Sequence, residues 1–280
     1  MIPWSSFAVT NADADPAAVG PIRIDVQFVG HATVLIQVAG VRILTDPFLR
    51  DRLGPLERHG PLPDPQALGP VDIVLISHGH PDHFDRASLS AIGGRPVVIV
   101  PRGLGRAARR WVDADVREMA TGDRARFDKL SIEAVPARHW VTPGAARAEP
   151  QGYLLDAGPR IWFCGDTGRL PAGQRPSGSI DLALMPVWTW GPHRGPGHLG
   201  PKSAAEMLRD VDARVAVPIH WGTLYPRRLH RLLRAPLTEP GDRFARHAAS
   251  LAPRADVRVL RPGDSTTISL GEASGGPRST

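Results

Sequence analysis

The chain has 280 residues, of which 42% are hydrophobic and 22% are charged, and its formal net charge is +6. This composition is typical of a globular protein and argues against a disordered chain. No apolar run approaches the roughly 20 residues that cross a bilayer, which argues against a transmembrane segment. Cys164 is the only cysteine, so an intrachain disulfide is excluded, and with no signal-like N-terminus this favours the cytoplasm.

The positive charge is carried almost entirely by arginine, since Lys129 and Lys202 are the only lysines. A solvated surface of mixed charge explains it, and so does attraction to an anionic substrate, either a small molecule or a lipid-like one. No basic cluster with interleaved aromatic residues indicates specific nucleic-acid binding. The oligomeric state is left open by these observations.

The first predicted elements are strands joined by tight turns. Residues 22–29, 33–38 and 41–44 have strand patterns, and Ala39-Gly40 predicts a hairpin turn between the last two. Residues 48–70 are rich in Pro, Gly and Arg and predict a long surface loop.

The later elements mix strands with helices. Further strands are predicted at 71–76, 96–100, 124–127, 131–136, 152–156, 160–163, 182–186, 215–219 and 257–260, and helices at 86–92, 102–111, 201–211 and 242–251. Pro101 is expected to start the second helix. This order predicts an α/β protein in which two mixed sheets pack face to face with helices outside. We expect one domain over 21–270, a flexible lead-in over 1–20 and a disordered tail over 271–280.

A histidine-rich stretch directly follows the predicted strand at 71–76. His78, His80, Asp82 and His83 place three imidazoles and one carboxylate within six residues. Imidazole nitrogen and carboxylate oxygen are ligands that Zn²⁺ takes in proteins. In an extended chain His78 and His80 point the same way, because side chains alternate with period two, so they can share one metal. Asp82 and His83 lie beyond the turn and can reach a second metal.

Three more candidate ligands follow predicted strands further along the chain. His139 comes after the strand at 131–136, and Asp166 and His220 follow the strands that end at 163 and 219. Each alone would be an ordinary polar residue at a strand end. Together they supply nitrogen and oxygen donors that suit Zn²⁺, with Fe or Mn as alternatives.

The pattern His-x-His-x-Asp-His at 78–83 resembles the metal motif of the metallo-β-lactamase superfamily. Within it, the combination with five other segments resembles the branch of N-acylphosphatidylethanolamine-hydrolysing phospholipase D, with the L-ascorbate-6-phosphate lactonase group as a neighbour. These segments are Gly30-His31-Ala32-Thr33-Val34-Leu35, Leu44-Thr45-Asp46-Pro47, His139-Trp140, Gly165-Asp166-Thr167-Gly168 and Ile219-His220-Trp221-Gly222-Thr223. The resemblance runs from about residue 28 to 223.

The resemblance implies an αββα sandwich with a dinuclear site. It assigns one metal to His78, His80 and His139, the other to Asp82, His83 and His220, and Asp166 to both. Asp82 is also counted among the catalytic residues. By the same resemblance, His31 and Asp46 orient ligands, and His198 contacts substrate or serves as the acid for the leaving group.

The resemblance is compatible with more than one class of substrate. Trp188 and Trp190, in a segment that differs from the lipid enzyme, either wall a substrate pocket, with His31, or cover the core. The hypothesis is hydrolysis by a hydroxide held between two metals, with a phosphodiester, phospholipid-like ones included, as the leading substrate. A lactone or other cyclic ester is the alternative, and a nuclease is a third. From another class, a non-catalytic metal-binding protein on the same fold stays open.

Overall fold

The computed structural model describes residues 22–140, 148–189, 197–229, 232 and 234–270. The predictions for 1–20 and 271–280 lie outside these residues. The strands are β1 (Ile22–Gly30), β2 (Thr33–Val38), β3 (Val41–Thr45), β4 (Arg52–Leu53), β5 (Leu56–Arg58), β6 (Ile73–Leu75), β7 (Val97–Pro101), β8 (Asp115–Met119), β9 (Arg124–Phe127), β10 (Leu130–Pro136), β11 (Gln151–Asp156), β12 (Arg160–Phe163), β13 (Ile180–Pro186), β14 (Ala213–Ile219), β15 (Leu224–Pro226), β16 (Asp256–Val257) and β17 (Ser265–Leu270). The helices are α1 (Arg86–Ala91), α2 (Gly105–Trp111), α3 (Pro201–Val211), α4 (Ala235–Thr238) and α5 (Pro240–Leu251), with a short 3-10 turn at Ala172–Gln174.

Most strands form two seven-stranded sheets. The first has the order β17-β1-β2-β3-β6-β7-β8, and the second has the order β16-β14-β13-β12-β11-β10-β9. Each sheet is mixed: β3, β6, β7 and β8 are parallel neighbours in the first, as are β12, β13, β14 and β16 in the second. Some antiparallel pairs are hairpins, as between β1 and β2, while β1 also pairs antiparallel with β17 from the other end of the described chain.

Alternating apolar side chains explain how the sheets pack. Ile24, Val26 and Phe28 of β1 face the second sheet and belong to one large core cluster with Trp162 and Leu184. That cluster also includes the apolar faces of α3 and α5, which cover the far side of the second sheet. A second cluster lies between the outer face of the first sheet and α1 and α2. The four layers form an αββα sandwich, which confirms the predicted fold class.

Several predicted boundaries were wrong. Pro101 does not start a helix: it ends β7, and α2 begins at Gly105. The predicted strand at 257–260 is only the two-residue β16, while β8 and β17 were not predicted. No helix in the described part of the chain is long and apolar enough to span a bilayer.

The predicted surface loop at 48–70 contains ordered structure instead. Its residues form the hairpin of β4 and β5, and β5 pairs with β15 in a third, three-stranded sheet. Phe48 and Leu56 are buried there with Leu224. The guanidinium of Arg58 donates to the carbonyl oxygens of Phe48 and Arg50. This small sheet therefore packs beside the loop that follows β14.

The strand directions bring the candidate ligands to one end of the sandwich. β1, β3 and β6 run the same way in the first sheet, and β10, β12, β13 and β14 do so in the second. A residue proposed to bind or orient a metal follows the carboxyl end of each of these strands except β13. Trp188, one of the two candidate pocket residues, follows β13. His31, Asp46 and His220 have positive φ angles of 58°, 32° and 62°. Such angles are unfavourable for residues with a side chain and concentrate at functional sites.

Candidate metal centre

Three imidazole nitrogens meet at the end of the first sheet. His78 Nε2 lies 2.9 Å from His80 Nδ1, which lies 3.0 Å from His139 Nε2. Four ligands around Zn²⁺ at its usual bond lengths are separated by about 3.3 Å. The three nitrogens are therefore spaced as ligands of one ion would be. His80 and His139 are half-buried, so this side of the cluster is open to solvent.

A second donor group lies deeper. His83 Nε2 is 3.2 Å from His220 Nε2 and 3.5 Å from Asp82 Oδ2, and all three side chains are buried. Their ligand atoms, together with that of His31, fall within 4.8 Å of one another. This group also has a spacing that fits one metal ion.

Asp166 lies between the two groups. Its Oδ1 is 3.2 Å from His220 Nε2 and its Oδ2 is 3.5 Å from His83 Nε2, while a ligand atom of Asp166 clusters with those of His139 and His198. Oδ1 is buried and has no properly aligned hydrogen bond within the described residues. A buried carboxylate oxygen without a donor is costly, and a cation at this position would satisfy it.

The outward nitrogens of the candidate ligand imidazoles lie against acceptors. His83 Nδ1 lies 2.7 Å from Asp46 Oδ2, His220 Nδ1 lies 2.8 Å from the Trp188 carbonyl oxygen, and His139 Nδ1 lies 3.2 Å from the Gly197 carbonyl oxygen. An acceptor at Nδ1 places the proton there and leaves the Nε2 lone pair for a metal. The donor set, its spacing and its tautomers therefore fit two divalent ions.

The carboxylates and imidazoles shift each other's pKa values. Burial disfavours a charged imidazole, yet Asp166, Asp82 and Asp46 outweigh burial and raise the His83 pKa well above its ordinary value. Burial would raise the Asp166 pKa, but His220 and His83 hold it well below its ordinary value. Burial and the neighbouring His83 lower the pKa of His78. Asp82 and Asp166 are thus ionised and His78 is neutral, as metal binding requires, whereas the raised pKa of His83 favours its charged form, so that an ion bound there would displace a proton.

The remaining predicted residues occupy distinct places. His31 Nε2 lies 2.9 Å from Asp82 Oδ2, and burial lowers the His31 pKa to about 3. His198 Nδ1 lies 3.5 Å from Asp166 Oδ2 and its side chain is 13% exposed, so it faces the open side of the cluster. The Trp188 side chain packs against the main core. Trp190 lies outside the described residues.

Sequence reasoning missed two residues that contact this cluster. Ser77 donates its backbone N–H to Asp46 Oδ1 at 2.7 Å, and the Thr223 hydroxyl accepts the backbone N–H of His31 at 2.7 Å. Ser77 directly precedes the histidine-rich motif at 78–83, and Thr223 ends the segment at 219–223. The signal was therefore present in the sequence, but hydroxyl residues beside metal motifs were not considered.

Two packed sheets with a histidine and carboxylate cluster at one end define the class, a protein of the metallo-β-lactamase fold. The chain matches the beta-lactamase superfamily domain over residues 41–221. It therefore belongs to that family, a family of metal-dependent hydrolases, and the resemblance read from the sequence is confirmed.

Individual relatives agree with this assignment. An uncharacterized protein of Mycobacterium bovis is 33% identical over 94% of this chain and 72% of its own length. The mitochondrial N-acyl-phosphatidylethanolamine-hydrolyzing phospholipase D of Saccharomyces cerevisiae is 31% identical over 66% of this chain and 44% of its own. The structure of Igni18, a metallo hydrolase from Ignicoccus hospitalis, superposes with a TM-score of 0.64 at 20% identity, covering 89% of this chain and 99% of that one. The last likeness concerns the fold alone.

Proposed function

We propose that the protein is a hydrolase that holds two Zn²⁺ ions and cleaves phosphodiesters, phospholipid-like ones included. The observation that carries this proposal is the position of Asp166, whose oxygens lie 3.2 Å from His220 Nε2 and 3.5 Å from His83 Nε2. The same carboxylate clusters with His139 of the other donor group. A shared carboxylate of this kind suits two ions about 3.5–4 Å apart.

The assignment of ligands follows the two donor groups. His78, His80 and His139 would hold one ion, Asp82, His83 and His220 the other, and Asp166 would contact both. When bound, such ions supply Lewis acidity and lower the pKa of water towards neutrality. Asp46 and His31 would keep His83 and Asp82 in the orientation described above, through contacts of 2.7 and 2.9 Å. Fe or Mn in place of Zn²⁺ is a question for metal analysis.

His198 is proposed to contact the substrate. Its ring centroid lies 4.6 Å from that of His139 and 5.9 Å from that of His220, on the partly exposed side of the cluster. Burial lowers its pKa to about 4, so the imidazole is neutral near pH 7. A neutral ring donates one N–H hydrogen bond, which suits a phosphoryl oxygen or the leaving oxygen of an ester. Proton transfer to the leaving oxygen would need the charged imidazolium, which the lowered pKa disfavours, so the hydrogen-bond contact is the role proposed.

The phosphodiester rests on the likeness to the yeast phospholipase D and on the net charge of +6, which favours an anionic substrate. The test measures metal content by plasma mass spectrometry and hydrolysis of bis-p-nitrophenyl phosphate against a panel of lactones. We expect about two metals per chain and metal-dependent phosphodiester turnover. Turnover of lactones but not of the phosphodiester would make the protein a lactonase. Two bound metals without any turnover would favour a non-catalytic metal-binding protein.

Asp166→Asn is the variant that tests the shared carboxylate. We expect it to lose metal and at least about 100-fold of the turnover, because one oxygen would become an amide nitrogen that cannot bind a cation. Asp181→Asn is the matched control, since Asp181 is a largely buried aspartate at the amino end of β13, opposite the end that carries the cluster, and it accepts the backbone N–H of Arg160. An Asp166→Asn protein with full metal and full turnover would refute the two-metal assignment.

A further inference from the structure

Every polar atom of Ser77 is used beneath the donor groups. Its backbone N–H donates to Asp46 Oδ1 at 2.7 Å, and its Oγ lies 2.5 Å from Asp46 Oδ2 and 2.9 Å from His78 Nδ1. Its carbonyl oxygen accepts the backbone N–H of Gln151 at 3.0 Å, which ties it to the second sheet. Ser77 is 1% exposed, so these contacts do not compete with bulk water.

Asp46 serves two imidazoles that belong to different donor groups. It contacts His83 Nδ1 directly at 2.7 Å, and it reaches His78 Nδ1 through the hydroxyl of Ser77. One buried charge is therefore connected to one ligand of each group.

The direction of each hydrogen bond follows from the chemistry of the acceptors. The Asp46 carboxylate accepts only, so the Ser77 hydroxyl donates to it and presents a lone pair to His78. His78 Nδ1–H then donates to Ser77 Oγ, and His83 Nδ1–H donates to Asp46. The His78 ring is thereby held in the tautomer whose Nε2 is a free acceptor, and the His83 ring is held with its Nδ1–H towards Asp46, so that a metal ion would displace only the proton on Nε2. The two Nε2 atoms face His80 and His220.

We propose that Ser77 is a positioning residue that links the two donor groups through Asp46, fixing His78 in its metal-binding tautomer. This inference rests on the proposed two-metal site. Loss of the Ser77 hydroxyl should therefore affect only the donor group that contains His78, because only His78 would lose the acceptor that fixes its tautomer. The backbone N–H of Ser77 would still hold Asp46 in place for His83.

Ser77→Ala removes the hydroxyl and keeps the Cβ atom that packs near Gly165. Ser88→Ala is a matched control, because Ser88 Oγ donates to Asp85 Oδ2 at 2.7 Å and is equally buried, but within the described residues it has no hydrogen bond to an imidazole. Zn²⁺ alone is titrated calorimetrically into metal-free wild type, both serine variants and Asp46→Asn. We expect Ser77→Ala to weaken one of two binding events by about 10- to 100-fold, Asp46→Asn to weaken both, and Ser88→Ala to weaken neither.

Two double variants identify which donor group is affected. Adding Ser77→Ala to His78→Ala should cause no further loss of Zn²⁺ affinity, whereas adding it to His83→Ala should cause the full loss. Equal weakening of both events by Ser77→Ala, or of neither, would overturn the inference while leaving two metals on the wild type. Wild type that binds no Zn²⁺ would instead refute the proposed function.

A second measurement can already overturn the proposal on the wild type alone. Long-range ¹H–¹⁵N spectra of histidine-labelled, metal-free wild type report which ring nitrogen carries the proton. We expect protonated Nδ1 at His78, and a shift towards a mixture in Ser77→Ala. Protonated Nε2 at His78 in the wild type would overturn the proposal.

Discussion

The ring of His31 holds the carboxylate of Asp82, with Nε2 2.9 Å from Oδ2 and both side chains buried. The backbone of His31 is fixed as well, because its carbonyl oxygen accepts the N–H of His220 at 2.7 Å. His31, which directly follows β1, thus positions both the Asp82 carboxylate of the first sheet and the His220 imidazole of the second. His31 is not needed as a ligand to affect metal binding.

Replacing His31 should therefore weaken one metal site. In His31→Ala the Asp82 carboxylate loses a donor, and we expect Zn²⁺ affinity at the Asp82 group to fall about 10- to 100-fold. Metal content after dialysis should drop from about two to about one per chain. His247→Ala on α5, outside the cluster, is the control and should keep both. Full metal content in His31→Ala would contradict this role.

Metal removal should lower thermal stability. A ligand that binds only the folded state at 100 times its Kd adds about 2.7 kcal/mol to the free energy of unfolding. For a chain of this size, that corresponds to a Tm lower by about 5–10 °C after chelation. Differential scanning fluorimetry before chelation, after chelation and after Zn²⁺ is restored would measure it. An unchanged Tm would show that the cluster binds no metal tightly.

Gly165→Ala should disturb the loop that carries Asp166. A Cβ there would lie 2.7 Å from Ser77 Cβ and 3.0 Å from the Gln151 carbonyl oxygen, at a φ of +60°. We expect a loss of about 1–3 kcal/mol in stability together with reduced metal content. Gly122→Ala has φ +92° but nothing within 4 Å of its Cβ, so it carries the backbone cost without the clash. Equal metal loss in both variants would exclude close packing at Gly165 as the cause.

Two buried tyrosines should respond differently to loss of their hydroxyls. Tyr153 donates to the Ile76 carbonyl oxygen at 2.7 Å and accepts from Gln151 Nε2 at 2.8 Å, just below the metal motif. Tyr153→Phe leaves both partners unsatisfied and should cost about 1–3 kcal/mol. The Tyr225 hydroxyl is buried with no hydrogen-bond partner among the described residues, so Tyr225→Phe should be neutral or stabilising. Urea unfolding of both variants tests the contrast, which equal losses would contradict.

Local sequence signals sufficed where an element depends on its own residues. Pro201–Val211 was predicted with its observed bounds, because a proline at the first turn and an apolar stripe define it. β8 was missed since its charged residues, Asp115, Arg117 and Glu118, suit an edge strand but resemble a loop. The hairpin of β4 and β5 was missed because it is stabilised by β15, which is far away in the sequence.

The candidate ligands could be proposed from the strand ends and the motif, but the hydrogen-bond partners that orient them could not. The carbonyl oxygens of Trp188 and Gly197 accept from candidate ligand imidazoles, and every residue has such an oxygen. Only the folded backbone shows which carbonyl lies behind which ring. The pairing of His31 with Asp82 likewise depends on how β1 and the metal motif meet at the end of the first sheet.

Each donor group takes residues from both sheets. His78 and His80 follow β6 of the first sheet and meet His139 from the second, and Asp82 and His83 meet His220 in the same way. Neither sheet alone carries three of the proposed ligands of one group. A metal ion would therefore find its full ligand set only after the sheets have docked, and a bound ion would be expected to slow their separation.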